Sequence, residues 1–332
     1  MAELEFSKSA PLEGNIYVPS LVTSMAIGYM QKEGTLYDKI FPLCPTDADT
    51  GFYTKWNKGD IMRAITQPRS EGSHAEIGQD VTVDSTYAIT YFGAKKRYHQ
   101  NQIRNWKIQP TRERAAINLL TQAAILRRET KFVTAAFSTS KWIGSSTGTD
   151  LVGGTDFTLW SDPSSTPIED VRAQCTAMQK KTGMRPNKMA IGREVYDALV
   201  DNPEIVARMP TGNPNGQPRL VMLQQLAAIF ELDEVVIASR VYESADKGAT
   251  SSMAFVAGKN ALLIYVTDSP STDTPSAGYT FTNQLAGGNA QGILLRNGIN
   301  QEDNYEFYTI DHGEDFRITA SDLGVFFSNA VA

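Results

Sequence analysis

The sequence predicts an α+β fold in more than one lobe. Three stretches carry that prediction: a breaker-free helical segment at 111–137, a period-two region at 51–99, and alternating helix and strand after residue 166. The first acts as a spine. Pro110 suits a first helical turn, where its missing N–H costs nothing, and neither Gly nor Pro follows until Gly144. At 1.5 Å per residue the helix would be about 40 Å long, enough to cross a domain. Ala116, Leu119, Leu120, Ala123, Ile125, Leu126, Val133, Ala136 and Phe137 give its expected apolar side, with Arg112, Arg114, Arg127, Arg128 and Lys131 carrying charge elsewhere.

In chain order, residues 1–50 hold Pro11, Pro19, Pro42 and Pro45 and only short apolar groups, and are expected to form an arm that lies on the body of its own subunit or on a neighbour. From 51 to 98 the alternation of Phe52, Thr54, Trp56, then Val81, Val83, Tyr87, Ile89 and Tyr91, predicts two strands. A polar, Gly- and Pro-containing tip separates them. Such a ribbon is marginal in water unless another surface supports it. The run Lys95, Lys96, Arg97, Tyr98, His99 could contact phosphates, but a charged strand end facing acidic neighbours is the commoner arrangement. The spine segment follows within 99–165, which ends in a Ser/Thr/Gly-rich link.

At 166–292 a second unit begins. Thr166, Pro167 and Glu169 read as a capping box opening a helix; Ile168, Val171, Cys175 and Met178 form its buried side, and Gly183 its left-handed cap. Strands at 188–191, 235–238, 253–256 and 262–266 alternate with helices at 193–200 and 220–230, the texture of an α/β sandwich. Residues 268–292 are expected to be a long exposed loop or ribbon, and 293–332 strands that return to the spine.

Composition excludes several functions. A net charge of −6 rules out a generally basic nucleic-acid binder and leaves room only for a local patch. Cys44 and Cys175 stand far apart, and His74, His99 and His312 are the only histidines, so no nucleophile, metal cluster or disulfide framework has workable spacing. Asp49-Thr50-Gly51 lacks the strand context of an aspartic protease. The acidic run from Asp47 has Lys58 where a calcium loop needs Glu, and Gly258-Lys259 lacks the rest of a phosphate loop. We therefore expect no enzyme activity, no cofactor and no metal. The N-terminus lacks a signal-peptide pattern, and no stretch nears the ~20 apolar residues of a membrane span, so neither secretion nor a membrane partner is expected.

This order of arm, two-stranded loop, spine helix, α/β lobe and returning strands resembles the major capsid proteins of tailed double-stranded-DNA bacteriophages, with their Hong Kong 97 type fold. The stretches 184–205 and 261–281 carry the most specific likeness. The resemblance implies an N-terminal arm (1–50), an extended β-hairpin loop (51–98), a peripheral domain with the spine helix (99–165), an axial α/β domain (166–292) and C-terminal strands rejoining the peripheral domain (293–332). It further implies self-assembly as hexamers and pentamers into an icosahedral virion shell, built in the host bacterial cytoplasm around double-stranded DNA held without sequence-specific binding. A portal protein at one vertex is implied, and a decoration protein is allowed. The arm is short and Pro-punctuated, unlike the long helical extensions of some members, which implies a separate scaffolding protein. Candidates for contact between subunits are Trp56, Lys58, Arg63, Arg69 and Glu71 in the loop, Arg97, Arg127 and Arg128 near the spine, and Tyr279 and Phe281. No feature selects Lys55 or Lys58 for a covalent crosslink, and none is expected. An encapsulin shell, an α/β enzyme and a phage tail protein are the alternatives.

Overall fold

The computed structural model describes residues 35–56, 82–99, 109–208, 223–246, 248–270, 275–283 and 292–332. The expected arm over 1–34 and the ribbon tip over 57–81, with Lys58, Arg63, Arg69 and Glu71, lie outside the described residues. The elements run α1 (Leu36–Ile40), β1 (Leu43–Thr46), β2 (Thr50–Trp56), β3 (Thr82–Ala88), β4 (Thr90–His99), α2 (Gln109–Ala136), β5 (Leu151–Val152), α3 (Pro167–Thr182), β6 (Lys188–Gly192), α4 (Arg193–Asp201) and α5 (Pro203–Arg208). They continue with α6 (Leu223–Phe230), β7 (Glu234–Ala238), β8 (Val241–Glu243), β9 (Met253–Phe255), β10 (Ala261–Ile264), β11 (Gly278–Asn283), β12 (Ile293–Asn300), β13 (Tyr305–Ile318) and β14 (Gly324–Ser328).

Two sheets form the body. In the first, β13 is the long central strand: its Tyr305–Glu314 stretch pairs antiparallel with β4, its Tyr305–His312 stretch with β12, and its last residues with β11, which in turn pairs parallel with β1. The second runs β5-β14-β10-β6-β7. Its strands are short apolar runs because both faces are covered. Met189, Ile191, Val235, Leu263, Val325 and Phe327 point to one side, toward Ile168, Val171, Cys175 and Met178 of α3. Ala190, Val236, Leu262, Ile264 and Phe326 alternate to the other.

Helix α2, at 28 residues, links the two cores. Its buried positions recur in steps of four: Ala116 and Ile117, Leu120 and Thr121, Ala124 and Ile125, Arg128 and Glu129, Phe132 and Val133, then Ala136. Each step of four overshoots a full turn by roughly 40°, so the buried line rotates by roughly 200° from 116 to 136. One end therefore faces the first sheet, packing Ile117, Leu120 and Ile125 on Ile293, Leu295, Tyr308 and Ile310. The other end faces the second core, through Phe132, Val133, Ala136 and Phe137. The same winding explains why Leu119, expected inside, is 55% exposed and Ala123 is exposed.

Other expectations are also corrected. Residues 35–46 are no arm: Leu36, Tyr37, Ile40 and Phe41 are core residues, because they fill the joint between the spine and the second sheet. The ribbon's return strand ends at Ala88, and β4 belongs to the first sheet. Within 268–292, β11 is an inner strand with Thr280 and Phe281 buried. Of the C-terminal strands, β12 and β13 join the first sheet but β14 pairs with β10 in the second. Helix α3 begins at Pro167 and ends at a left-handed Gly183 as expected, yet Thr166 makes no side-chain cap. The Glu204 carboxylate takes the Ile168 N–H instead, at 3.1 Å, from α5, a helix not among those expected from the sequence.

Candidate assembly surfaces

The β2–β3 ribbon stands on an aromatic root. Its two strands pair from Thr50↔Ala88 to Trp56↔Thr82, and the Tyr87 ring stacks on Phe281 at 4.6 Å while Tyr53 flanks the same ring. At Gly51 a Cβ would stand 2.6 Å from Tyr87 Oη, so a side chain there would push the ring off its place on Phe281. Backbone bonds fix the exit: Ile89 N–H donates to Asp49 O at 2.8 Å, and Ala88 N–H to Asp315 Oδ2 at 2.8 Å. Tyr91 Oη and Asn283 Nδ2 both donate to Asp49, and these bonds hold its carboxyl below the usual carboxylate range. On the opposite face of the same strand, Phe52 is 78% accessible. An aromatic that size gains most from burial on another surface.

A second feature lies inside. Arg128, fully buried on α2, forms an ion pair with Glu314 of β13 and stands over the Tyr37 ring at 5.7 Å. Burial pushes the Glu314 carboxyl up, against the pull of Arg128. His312, beside it, is held down to about 3 by burial and by Arg128 and Arg127, so its imidazole is neutral and its contact with Glu314 is no ion pair. Glu129 accepts the Leu36 N–H at 3.0 Å, and burial raises its carboxyl to about 7. This polar joint pins α1 to the spine.

The third is the face shared by β4 and α2. Arg127 lies 5.0 Å and Lys131 5.6 Å from the Phe92 ring, and Lys96 5.6 Å from that of Tyr98. On the opposite side of β4, Lys95 sits 4.0 Å from Phe307 and Arg97 5.2 Å from Tyr305. Glu306 stands opposite Tyr98 in the strand register, but no ion pair joins Lys95, Lys96 or Arg97 to a carboxylate among the described residues, and aromatic rings lie beside them.

Of the contact candidates described, Arg97 and Arg127 are exposed, Tyr279 is half-buried, and Trp56 closes β2. Arg128 and Phe281 are occupied inside the subunit, which takes both off the outer surface. Burial raises Cys175 to about 11, an inert core thiol, and no group of His, Cys, Asp or Glu among the described residues could hold a metal ion. No described helix is long and apolar enough to cross a membrane.

The family described as phage major capsid protein E matches residues 147–274. The major capsid protein of Pseudomonas phage JBD67 is 25% identical over 321 residues, covering 94% of this chain and 96% of that one. These matches support a phage major capsid protein. Structural likeness agrees with the fold of such a protein. A phage-related protein from Bordetella bronchiseptica RB50 superimposes with a TM-score of 0.70 at 19% identity, over 96% of this chain and 99% of the other. The mature capsid of bacteriophage PhiM1 gives 0.55 at 10% identity, over 98% and 92%.

Proposed function

We propose that this capsid protein closes, as hexamers and pentamers, into an icosahedral shell around double-stranded DNA. In this reading the first sheet and the spine form the peripheral domain, the second sheet with α3–α6 the axial domain around the five- and six-fold axes, and the ribbon reaches onto a neighbouring subunit. The observation that carries it is the ribbon itself. Its root is fixed by stacking and hydrogen bonds, while Phe52 on the opposite face of the strand is left to solvent. A rigidly aimed strand pair with an uncovered aromatic is built to be completed by another copy. Arm, ribbon and lobe contacts made together raise the effective concentration of each, so many weak contacts close a stable shell.

A separate scaffolding protein, a portal at one vertex and assembly in the host cytoplasm belong to the same proposal, as does the absence of covalent crosslinks. Electron microscopy of the purified chain, alone and with its scaffold, tests it: closed shells or capsomer rings are expected, and discrete monomers under both conditions would overturn it. Particles recovered from cells should contain nucleic acid. A protein cargo in its place would favour the encapsulin alternative. Boiling in detergent should release single-chain bands, and ladders would refute the absence of crosslinks.

A further inference from the structure

We infer that the exposed face made by β4 and the spine helix is a contact surface for the sugar–phosphate backbone of duplex DNA, through Lys96, Arg127 and Lys131. The inference rests on the capsid reading above and assigns that reading's packaged DNA a place on the subunit. Alternation along β4 turns Phe92, Ala94, Lys96 and Tyr98 toward the helix, and Ala94 and Tyr98 pack on its core. Arg127 and Lys131 follow one another by one turn on the exposed line of α2, both beside Phe92. Phe92 and Lys96 are four strand residues apart, about 13 Å. The cations thus span a strip rather than a point.

What sets this strip apart is that strand and helix both bring cations to it. Several described cations are matched by carboxylates, as in Lys39 with Glu234, Arg193 with Asp197, Arg208 with Glu204, and Arg317 with Asp315, whereas Lys95 and Arg97 on the opposite side of β4 lie beside rings. Lys96, Arg127 and Lys131 sit over rings, and no ion pair joins them to a carboxylate among the described residues. A ring quadrupole orients a cation but does not cancel its charge. Of the acids on the same face of β13, Glu314 is paired with Arg128 and Glu306 stands opposite Tyr98. In a chain of net charge −6 this strip keeps a positive field that suits a polyanion. An edge strand's need for lysines against unwanted pairing explains Lys96 but not the two cations on the helix. Nothing on the strip reads bases, so the contact is with phosphate and independent of sequence.

Fluorescence anisotropy of the unassembled full-length chain with a labelled duplex of mixed sequence tests this. Three neutralised phosphates predict a log–log salt slope of about −2.7, a loss of roughly 40-fold in affinity between about 50 and about 200 mM salt. Lys96→Gln, Arg127→Gln and Lys131→Gln should each reduce the slope by about one, while Arg127→Lys keeps it. Thermal unfolding of each variant checks that the fold survives. Absence of salt-dependent binding in the parent chain, or an unchanged slope in the triple Gln variant, would overturn the inference. So would variants that bind DNA normally but no longer form particles by electron microscopy, because the strip would then serve a neighbouring subunit. A parent chain that binds with the expected slope yet never forms shells would support this surface while defeating the capsid reading.

Discussion

Glu129 shows how a single side chain on the spine sets a pH dependence. Its folded value of about 7 lies above its ordinary 4.5, so the folded state holds the proton more tightly than the unfolded one. The stability this gives is complete below the unfolded value and is lost as pH rises through the folded one. Melting temperature should therefore fall between pH 5 and pH 8, and Glu129→Gln should flatten that fall; superimposable curves for parent and variant would refute the assignment. Comparison with the variant matters because Glu314, also raised, acts in the same sense, while the depressed His312 acts oppositely at lower pH. The Arg128–Glu314 pair gives a second residue-scale expectation. Arg128→Met alone strands a buried carboxylate and should cost about 3–5 kcal/mol in denaturant unfolding. Arg128→Met with Glu314→Leu should recover most of that loss. If the double variant is as unstable as the single one, the pair is not what the joint depends on.

At the scale of elements, the spine was legible as a helix but not in its orientation. Its ends, 111–137 expected and 109–136 found, follow from Pro110 and the missing breakers. Its buried side did not follow, because a fixed apolar face assumes a constant period of 3.6, whereas burial here advances in fours and winds around the helix. That winding places Arg128 inside and Arg127 outside, two adjacent arginines that looked equivalent in the sequence. It also separates the effects of two apolar residues. Phe132→Ala, at the buried end, should cost about 3–5 kcal/mol. Leu119→Ala, on the exposed line, should change stability by no more than about 0.5 kcal/mol. Equal losses in urea titrations would contradict the winding. Strands β6, β7 and β10 were legible because each is an apolar run buried on both faces. Strand β11 was not: it lies between polar, Gly- and Ser-containing segments, and its partners β1 and β13 are distant in the chain. Helix α5 was missed for a related reason, since Pro203 reads equally as a turn or as a first helical residue.

For the whole molecule, the division of labour between body and appendage is the point that sequence and structure share. Long-range pairings bind the body together: β1 to β11, β4 to β13, and β14 to β10. Among the described residues the ribbon is joined to the body at its root, through Tyr87, Ile89 and Phe281 and the bonds to Asp49 and Asp315. Its removal should therefore leave folding intact and abolish assembly. Trp56 faces Thr82 across the strand pair, a register that a two-residue Asn-Gly turn can close. Replacing 57–81 by Asn-Gly should keep the far-ultraviolet spectrum and melt within about 2–4 °C of the parent, the range that about 1 kcal/mol moves in a larger domain. The same protein should give no closed shells by electron microscopy, alone or with scaffold. Shells of normal size from this variant would mean that the lobes, the arm and the retained strand pair with Phe52 suffice, and that 57–81 has some other use.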